Sequence, residues 1–304
     1  MDHQNPNDPP LPSPPSSTTA ILDSPLNAVG FEIQILSPHR VTGRIVVSPK
    51  CCQPFKVLHG GVSAMIAEAL ASVGAQMAAG FKRVAGFHLS IDHLQSAEIG
   101  DLVLAEATPL SLGKAIQVWE VELWKVKSSS VERRDLVASS RVTLLCNMPV
   151  PKHAQPLVDT LKRSSSAVYA ASSRRYASRL RIRNRPRLSS ESGRPSPRLL
   201  NLLPVLHGGV SALIAESLAS IGAHTASGYQ RVAGIHLSIN HLKSAALGDL
   251  VLAEAAPVWD VKLWKDLKET KVVVSTARVT LLCNLAVPKH AENAANALKM
   301  FAKL

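Results

Sequence analysis

The hydrophobic pattern changes its period twice along the first half of the chain. Polar and apolar residues alternate over residues 31–48, which predicts two strands joined at a Ser37-Pro38 turn. Residues 62–79 are small and almost uniformly apolar, which predicts a helix buried on all sides. Four runs rich in β-branched and aliphatic residues follow, over 83–96, 102–112, 115–127 and 136–146. This order predicts an α+β fold, in which an antiparallel sheet wraps one long helix.

The predicted helix carries one formal charge, Glu68. A buried carboxylate costs free energy unless it is paired, hydrogen-bonded or protonated, and burial tunes such a group as a base or nucleophile. Ser72 lies four residues later, on the same helical face. The preceding His59-Gly60-Gly61 turn places backbone N–H groups where negative charge is favoured. These features together predict a hydrolytic site, although a lone Glu or His in such a place also occurs as a structural group.

The same stretch occurs twice in the chain. Residues 207–257 repeat residues 59–109 at an offset of 148, with 37 of the 51 positions identical by direct count. The second predicted helix again carries a single carboxylate, Glu216, and Ser220 repeats Ser72. Ser217 stands where the first copy has Ala69. Because nothing structural requires a buried Glu twice, the repeat favours a chemical role for both carboxylates.

The second copy is shorter than the first. It has no counterpart of residues 31–48, and residues 110–117 have no equivalent in it. The second sheet should therefore lack its first strands and expose an edge and apolar surface. We expect this copy to fold against the first copy or against another chain.

Composition defines the remaining organisation. The chain is 46% hydrophobic and 18% charged, which fits two globular domains, predicted at 26–156 and 203–304. Residues 1–25 form a predicted disordered tail, and residues 157–202 a Ser/Arg-rich linker with ten Arg between Arg163 and Arg198. Since this linker holds most of the +12 net charge and no nucleic-acid-binding motif, we predict a solvated linker and no nucleic-acid partner. We also predict neither a secretory signal nor a membrane span.

Cofactor motifs are missing and a targeting signal is present. The four cysteines, at positions 51, 52, 146 and 283, show no metal-binding spacing, and there is no phosphate loop or dinucleotide fingerprint. The chain ends in Ala302-Lys303-Leu304, one conservative change from the peroxisomal Ser-Lys-Leu signal. We therefore predict no metal, a peroxisomal location and recognition by the peroxisomal import receptor.

LHGGVSAxIAExLAS, followed by RVAG, HLSIxHLxSA and SSRVTLLCN, resembles the hotdog-fold acyl-CoA thioesterases. Among them it is most similar to the plant peroxisomal 1,4-dihydroxy-2-naphthoyl-CoA thioesterases of phylloquinone biosynthesis. The resemblance covers residues 26–155 nearly completely and 203–304 with gaps. It implies a tandem hotdog fold, active sites where two copies meet, and hydrolysis of an aromatic acyl-CoA without a metal or redox cofactor. A broad fatty acyl-CoA thioesterase and a non-catalytic acyl-CoA-binding or assembly protein remain the alternatives.

The resemblance also implies roles for individual residues. The helix carboxylate activates water or attacks the thioester, and a backbone N–H at the helix N-terminus holds the developing oxyanion. Neighbouring Gln, His and Ser side chains orient the thioester and the water. The catalytic set implied is Gln53, His59, Gly60, Glu68, Ser72, His207, Gly208, Glu216, Ser217 and Ser220. The substrate-binding set implied is His88, Ser90, His93, Ser96, Ser111 and Gly113.

The two copies have diverged unequally at these positions. If they pair within one chain as a pseudo-dimer, one site combines Gln53, His59 and Gly60 with Glu216, Ser217 and Ser220. The other combines His207 and Gly208 with Glu68, Ala69 and Ser72, and it lacks two family groups because Asn201 and Ala69 replace Gln and Ser. One complete and one impaired site would result. If instead the first copies of two chains pair in a homo-oligomer, Glu68 faces Gln53, and the Glu68 site becomes the more complete of the two.

Overall fold

The structure is a computed structural model. It describes residues 16–126, 134–152, 155–156, 158–159, 161–163, 205–246, 248–256, 259–266 and 270–287. The predicted terminal targeting signal, most of the basic linker and Asn201 lie outside these residues.

Three helices and six strands of the first copy are described over their full length, and described residues between 155 and 163 are also helical. The elements described in full are α1 Ser16–Leu22, α2 Ser24–Val29, β1 Glu32–Ser37, β2 Arg40–Val46, α3 Gly60–Ala78, β3 Arg83–His93, β4 Leu102–Leu112, β5 Ile116–Val126 and β6 Arg134–Met148. Strands 31–48 and the four later runs thus form where the alternation predicted them. The helix α3 begins two residues earlier than predicted, because His59 caps it by accepting the Gly61 N–H on Nδ1.

Helix α3 is the centre of the core. Ile66, Ala67 and Leu70 are fully buried, and Glu68 is 4% exposed. The sheet packs around α3 through β3 to β6, as the uniformly apolar sequence requires. By length and composition α3 could cross a membrane, but 89% of its apolar window is buried inside this fold, as in the core helix of a globular domain. The expectation of no membrane span stays a prediction.

The second copy repeats the helix and four of the strands. Its described elements are α4 Gly208–Ala226, β7 Arg231–His241, β8 Leu250–Ala256, β9 Asp260–Asp266 and β10 Lys271–Leu285. Strand β8, the equivalent of β4, ends the sheet, because nothing in this copy corresponds to β1 and β2. Leu250 on this edge strand is 59% exposed, as the shortened sequence predicted.

The two copies share one sheet and one core. Ten strands follow the order β1-β2-β4-β5-β6-β3-β7-β10-β9-β8, and the antiparallel pairing of β3 with β7 joins the copies. Beneath this seam α3 packs against α4. Each copy therefore forms an antiparallel sheet around a long helix, and the predicted tandem hotdog fold is confirmed.

Two predicted boundaries require correction. Residues 16–25 do not belong to a disordered tail, because they form α1 and the start of α2, with Leu22 and Asp23 only 3% and 5% exposed. At the other end of the copy, Val158 and Leu161 are buried at 4% and 0%, so the folded part extends past residue 156. Apolar side chains that cover the core explain both differences.

Candidate active sites

Close contact between α3 and α4 places each helix carboxylate beside the N-terminus of the other helix. A Cβ on Gly61 would lie 2.7 Å from the Cα of Leu213, and one on Gly209 would lie 2.6 Å from the Cα of Met65. Glycine is therefore required at both positions for the two backbones to approach. This crossing forms two composite sites, each with one carboxylate from one copy and one His-Gly turn from the other.

The Glu216 site combines six residues predicted from the sequence. Its cavity of about 620 Å³ is lined by Gln53, His59 and Gly60 of the first copy and by Glu216, Ser217 and Ser220 of the second. The intrachain arrangement thus brings together the predicted complete set. Their catalytic roles stay predictions.

Glu216 lies directly against Gly60. A Cβ on Gly60 would lie 2.1 Å from Oε1 of Glu216, so any side chain at this position would displace the carboxylate. Oε2 lies 3.5 Å from Nε2 of His93 and has no hydrogen-bond partner among the described residues. Glu216 is nevertheless only 4% exposed. A buried carboxylate with so few donors keeps unused capacity to accept a proton or a hydrogen bond.

His59 is held as a neutral imidazole by its surroundings. Burial lowers its pKa, an effect that the Glu216 carboxylate opposes and His93 reinforces. The Gly61 N–H donates to Nδ1 at 3.0 Å, so the ring proton lies on Nε2. Nε2 is 3.2 Å from Oγ of Ser217, which donates its own proton to the Leu213 carbonyl at 2.7 Å. Ser217 therefore accepts from His59 and fixes the orientation of the ring.

The Glu68 site is smaller and more extensively hydrogen-bonded. Its cavity of about 300 Å³ is lined by Glu68, Ala69 and Ser72 together with His207 and Gly208. Ser72 donates to Oε1 of Glu68 at 3.2 Å, and the Gly209 N–H lies 3.3 Å from Oε2. Nδ1 of His207 is also 3.3 Å from Oε2. The acceptor capacity of this carboxylate is largely occupied.

Asp23, from the turn between α1 and α2, completes the Glu68 site. Its Oδ2 lies 2.9 Å from Nε2 of His207, while its Oδ1 accepts the Leu26 N–H and caps α2. Burial alone would lower the pKa of His207, but the Asp23 and Glu68 carboxylates outweigh it and raise that pKa to about 9. The His207 Nε2–H donates to Asp23, while the Gly209 N–H lies 2.9 Å from Nδ1 of His207 and 3.3 Å from Oε2 of Glu68. The two site histidines therefore differ in the direction of their pKa shift, which is upward for His207 and downward for His59.

Only part of the predicted substrate-binding set lines either cavity. His93 and Ser96 line the Glu216 site. His88 and Ser90 do not, because successive strand residues face opposite sides and Leu89 and Ile91 occupy the helix-facing side of β3. His88 bonds instead to Ser238 across the β3–β7 seam, with Nε2 and Oγ 3.1 Å apart.

Ser111 and Gly113 are also outside both cavities. Both are exposed, at the end of β4 and in the turn that leads to β5. His88, Ser90, Ser111 and Gly113 thus lie outside both cavities, and their predicted role in binding CoA or the acyl group stays a prediction.

The sequence analysis missed several residues that line the sites. Asp23 followed by Ser24-Pro25 is a helix-start pattern, with an acceptor at the N-cap and Pro in the first turn, and this signal could have removed it from the tail. Phe55, His224 and Arg231 line the Glu216 cavity, and no sequence signal distinguished them. In the described parts of the chain, no three His, Cys, Asp or Glu side chains gather where they could hold a metal ion.

Comparison with known proteins gives the family. The model of the thioesterase superfamily matches residues 55–132 and again residues 203–260. The chain is 55% identical over 150 residues to 1,4-dihydroxy-2-naphthoyl-CoA thioesterase 2 of Arabidopsis thaliana, which covers 49% of this chain and 96% of that protein. It is 32% identical over 121 residues to the 1,4-dihydroxy-2-naphthoyl-CoA hydrolase of Escherichia coli, covering 38% of this chain and 84% of the relative.

A solved thioesterase structure from Haemophilus influenzae is also similar. It is 30% identical, with a TM-score of 0.38 over 44% of this chain and 90% of that chain. Each of these three matches spans less than half of this chain, and the family model matches two separate segments of it. The chain is a thioester hydrolase that belongs to the thioesterase superfamily, with its domain present twice.

Proposed function

We propose that the Glu216 site hydrolyses an aromatic acyl-CoA, namely 1,4-dihydroxy-2-naphthoyl-CoA. The observation that carries the proposal is the Glu216 carboxylate, which is 4% exposed, lacks a hydrogen-bond partner on Oε2 among the described residues, and lines a cavity of about 620 Å³. Buried carboxylates with unused acceptor capacity are typical of catalytic bases and nucleophiles. Relatives from Arabidopsis thaliana, Escherichia coli and Listeria monocytogenes carry the name of this substrate, which supports it for this chain.

The proposed reaction uses water and the side chains of one composite site. Water adds to the thioester carbonyl carbon and passes a proton to the Glu216 carboxylate. The C–S bond then breaks, and this proton goes to the departing thiolate, so that acid and free CoA leave. Direct attack by Glu216, followed by hydrolysis of the resulting anhydride, gives the same products.

Groups from the first copy stabilise the negative charge that develops on the carbonyl oxygen. The Gly60 N–H lies at the N-terminus of α3, where the first N–H groups of a helix have no intrahelical acceptor. Oε1 of Gln53 accepts the Phe55 N–H at 3.0 Å, which leaves its amide NH2 as a donor for the substrate carbonyl. Ser220 lines the same cavity and is proposed to orient the water.

The cavity suits a large apolar acyl group. Its walls include Phe55, Leu58, Val137, Val232 and Ile235. A volume of about 620 Å³ lies within the usual range for sites that enclose most of a small ligand. These aromatic and branched side chains favour an apolar acyl group over a polar one.

Release of free CoA from a panel of acyl-CoA substrates tests the function. The purified full chain is assayed with 1,4-dihydroxy-2-naphthoyl-CoA, 2-naphthoyl-CoA, benzoyl-CoA and palmitoyl-CoA, using a thiol reagent to detect CoA. We expect the highest kcat/KM for the dihydroxynaphthoyl ester and at least tenfold less for palmitoyl-CoA. A preference for palmitoyl-CoA would establish the broad fatty acyl-CoA thioesterase instead. Binding of all four without turnover would establish the non-catalytic alternative.

Metal dependence, location and assembly belong to the same proposal. We propose that hydrolysis needs no metal or redox cofactor, so EDTA should leave the rate unchanged. We also propose that the chain pairs its own copies, so a monomer should be active.

The terminal Ala302-Lys303-Leu304 supports peroxisomal import by its receptor. Deleting Leu304 from a fluorescent fusion should leave it cytosolic, whereas continued peroxisomal import would remove the argument for this location.

A further inference from the structure

Three residues that the chemistry above does not use gather at one end of the Glu216 cavity. Phe55 comes from the first copy, and His224 and Arg231 come from the second. The His224 ring centroid lies 6.2 Å from that of Phe55 in an edge-to-face contact, and Cζ of Arg231 lies 5.6 Å from the same Phe55 centroid. This group, which we call the Phe55 cluster, places two polar side chains around one aromatic ring.

His224 presents an unused acceptor in this cluster. The side chain is buried, with the residue 4% exposed, and Nδ1 lies 2.7 Å from the Gln230 carbonyl oxygen. Since a carbonyl oxygen only accepts, Nδ1 carries the proton and Nε2 of the neutral ring carries the lone pair. Nε2 is buried and has no partner among the described residues. Buried polar atoms are nearly always hydrogen-bonded in native proteins, so an unpartnered one in a cavity wall indicates a ligand.

Arg231 provides the matching donor. Its Nε is likewise buried without a hydrogen-bond partner among the described residues, while its guanidinium packs over Phe55. A hydroxyl group can donate to His224 Nε2, and an aromatic ring that bears it can pack against Phe55.

The other copy shows which part of the cluster is specific to the Glu216 site. Arg83, the equivalent of Arg231, lines the Glu68 cavity and also has a buried Nε without a partner in the described residues. Gln76 stands in the place of His224. In the sequence Leu203 occupies the position equivalent to Phe55. The ring and the imidazole acceptor are therefore the features that distinguish the Glu216 cavity.

We propose that the Phe55 cluster is the acyl-recognition end of the Glu216 site, where His224 selects aromatic acyl groups that carry a hydroxyl group. The inference rests on the proposed thioesterase function and names the residues that set its substrate class. Phe55 supplies the apolar surface for any aromatic ring. His224 supplies the discrimination, because a site built to bond a hydroxyl leaves its own polar atoms unpaired when the substrate lacks one.

The test is the ratio of kcat/KM for 1,4-dihydroxy-2-naphthoyl-CoA to that for 2-naphthoyl-CoA. His224→Asn is the decisive variant, because the Asn amide can still donate to the Gln230 carbonyl while nothing replaces Nε2. We expect the ratio to fall about tenfold, the effect of one lost hydrogen bond, chiefly through the hydroxylated substrate. An unchanged ratio in a variant with wild-type thermal stability would overturn the proposal, as would a wild-type ratio near one.

A second variant keeps the proposal testable if His224→Asn does not fold. Phe55→Leu introduces the residue that the second copy has at position 203. It should raise KM for both naphthoyl esters by severalfold and leave their ratio unchanged. A lower ratio in Phe55→Leu would contradict the division of roles.

Failure of the proposal is distinguishable from failure of the function. If the wild type hydrolyses neither ester, the thioesterase assignment fails. If it hydrolyses both and His224→Asn treats them as the wild type does, only the role of His224 fails. Calorimetric binding of both esters to Glu216→Gln provides a readout independent of turnover, and His224→Asn in that background should weaken only the hydroxylated ester, about tenfold.

Discussion

The Glu216 and Glu68 sites derive from the same repeated sequence, yet their carboxylates have different partners. Glu68 accepts hydrogen bonds from Ser72 and the Gly209 N–H and faces His207 at 3.3 Å. Among the described residues, Oε2 of Glu216 has no hydrogen-bond partner and lies 3.5 Å from Nε2 of His93. A carboxylate that accepts several hydrogen bonds is stabilised as an anion and is a weaker base. The more extensively bonded site should therefore be the less reactive one.

The difference between the surroundings of the two carboxylates originates in the segment that precedes the first copy. Residues 16–29 precede the first copy and bring Asp23 to His207 of the second copy. The second copy lacks the strands equivalent to β1 and β2, and in the described residues His59 contacts Ser217 where His207 contacts Asp23. Truncation after duplication thus explains why one histidine is paired with a carboxylate and the other with a hydroxyl group.

Removing each carboxylate should produce the largest contrast. We expect Glu216→Gln to lower kcat on 1,4-dihydroxy-2-naphthoyl-CoA by roughly a thousandfold, because a positioned base contributes about 10²–10⁴-fold. Glu68→Gln, the matched control in the other copy, should change kcat less than twofold. Both variants are assayed for CoA release at equal folded concentration. Equal losses would exclude a dominant site, and a reversed ranking would indicate pairing between first copies of two chains.

Removing Asp23 tests how much the buried Asp23–His207 pair of the Glu68 site stabilises the protein. Asp23→Ala leaves His207 buried beside Glu68 without its closer carboxylate and also removes the cap of α2. We expect the free energy of unfolding to fall by about 3–5 kcal/mol, the usual cost of breaking a buried pair. Denaturant unfolding followed by tryptophan fluorescence measures it. Glu32→Ala breaks the exposed pair with Arg44 and should cost at most about 1 kcal/mol. Similar losses in both variants would show that the Asp23–His207 pair adds no special stability.

The pH dependence of stability should distinguish the two histidines. The pKa of His207 rises from 6.5 to about 9 on folding, so its contribution is complete below pH 6.5 and is lost as the pH rises toward 9. The loss should be on the order of 3 kcal/mol. The pKa of His59 is lowered, so its effect has the opposite sign and reduces stability as the pH falls below 6.5. Unfolding measured from pH 6.5 to 9 checks this, and Asp23→Asn should flatten the curve. An equally steep curve in that variant would contradict the assignment to His207.

The sequence carried enough information for the fold and for the centre of each site. Alternating residues in the strands and the apolar run around Glu68 specify the elements, because periodicity follows directly from strand and helix geometry. The repeat then identified Glu216, and the His-Gly turns followed from their position before each helix. Unequal divergence at Ala69 and Ser217 indicated that pairing within the chain would give one complete and one impaired site, and it left pairing between chains open.

Contacts between residues far apart in the sequence could not be predicted from local patterns. Asp23 and His207 are separated by 184 positions, and no local pattern links them. His88 and Ser90 were assigned to the substrate from the family resemblance, whereas the direction of their side chains depends on the phase of β3, which the burial of Leu89 and Ile91 sets. The Phe55 cluster likewise forms only when the two copies cross.

The smallest expected effect concerns whether a hydroxyl group alone can restore the Glu68 site. In the Glu216 site, Ser217 accepts from His59 Nε2 at 3.2 Å. Ala69→Ser introduces the equivalent hydroxyl group, but Nε2 of His207 is already 2.9 Å from Asp23, so the new Ser has no free donor. In a Glu216→Gln background, Ala69→Ser should therefore change the residual CoA release less than twofold. Adding Asp23→Asn removes a charge that raises the pKa of His207, and the triple variant should release CoA severalfold faster. Full recovery with Ala69→Ser alone would show that Asp23 does not limit this site, and no gain in the triple variant would place the limitation in the missing Gln at position 201.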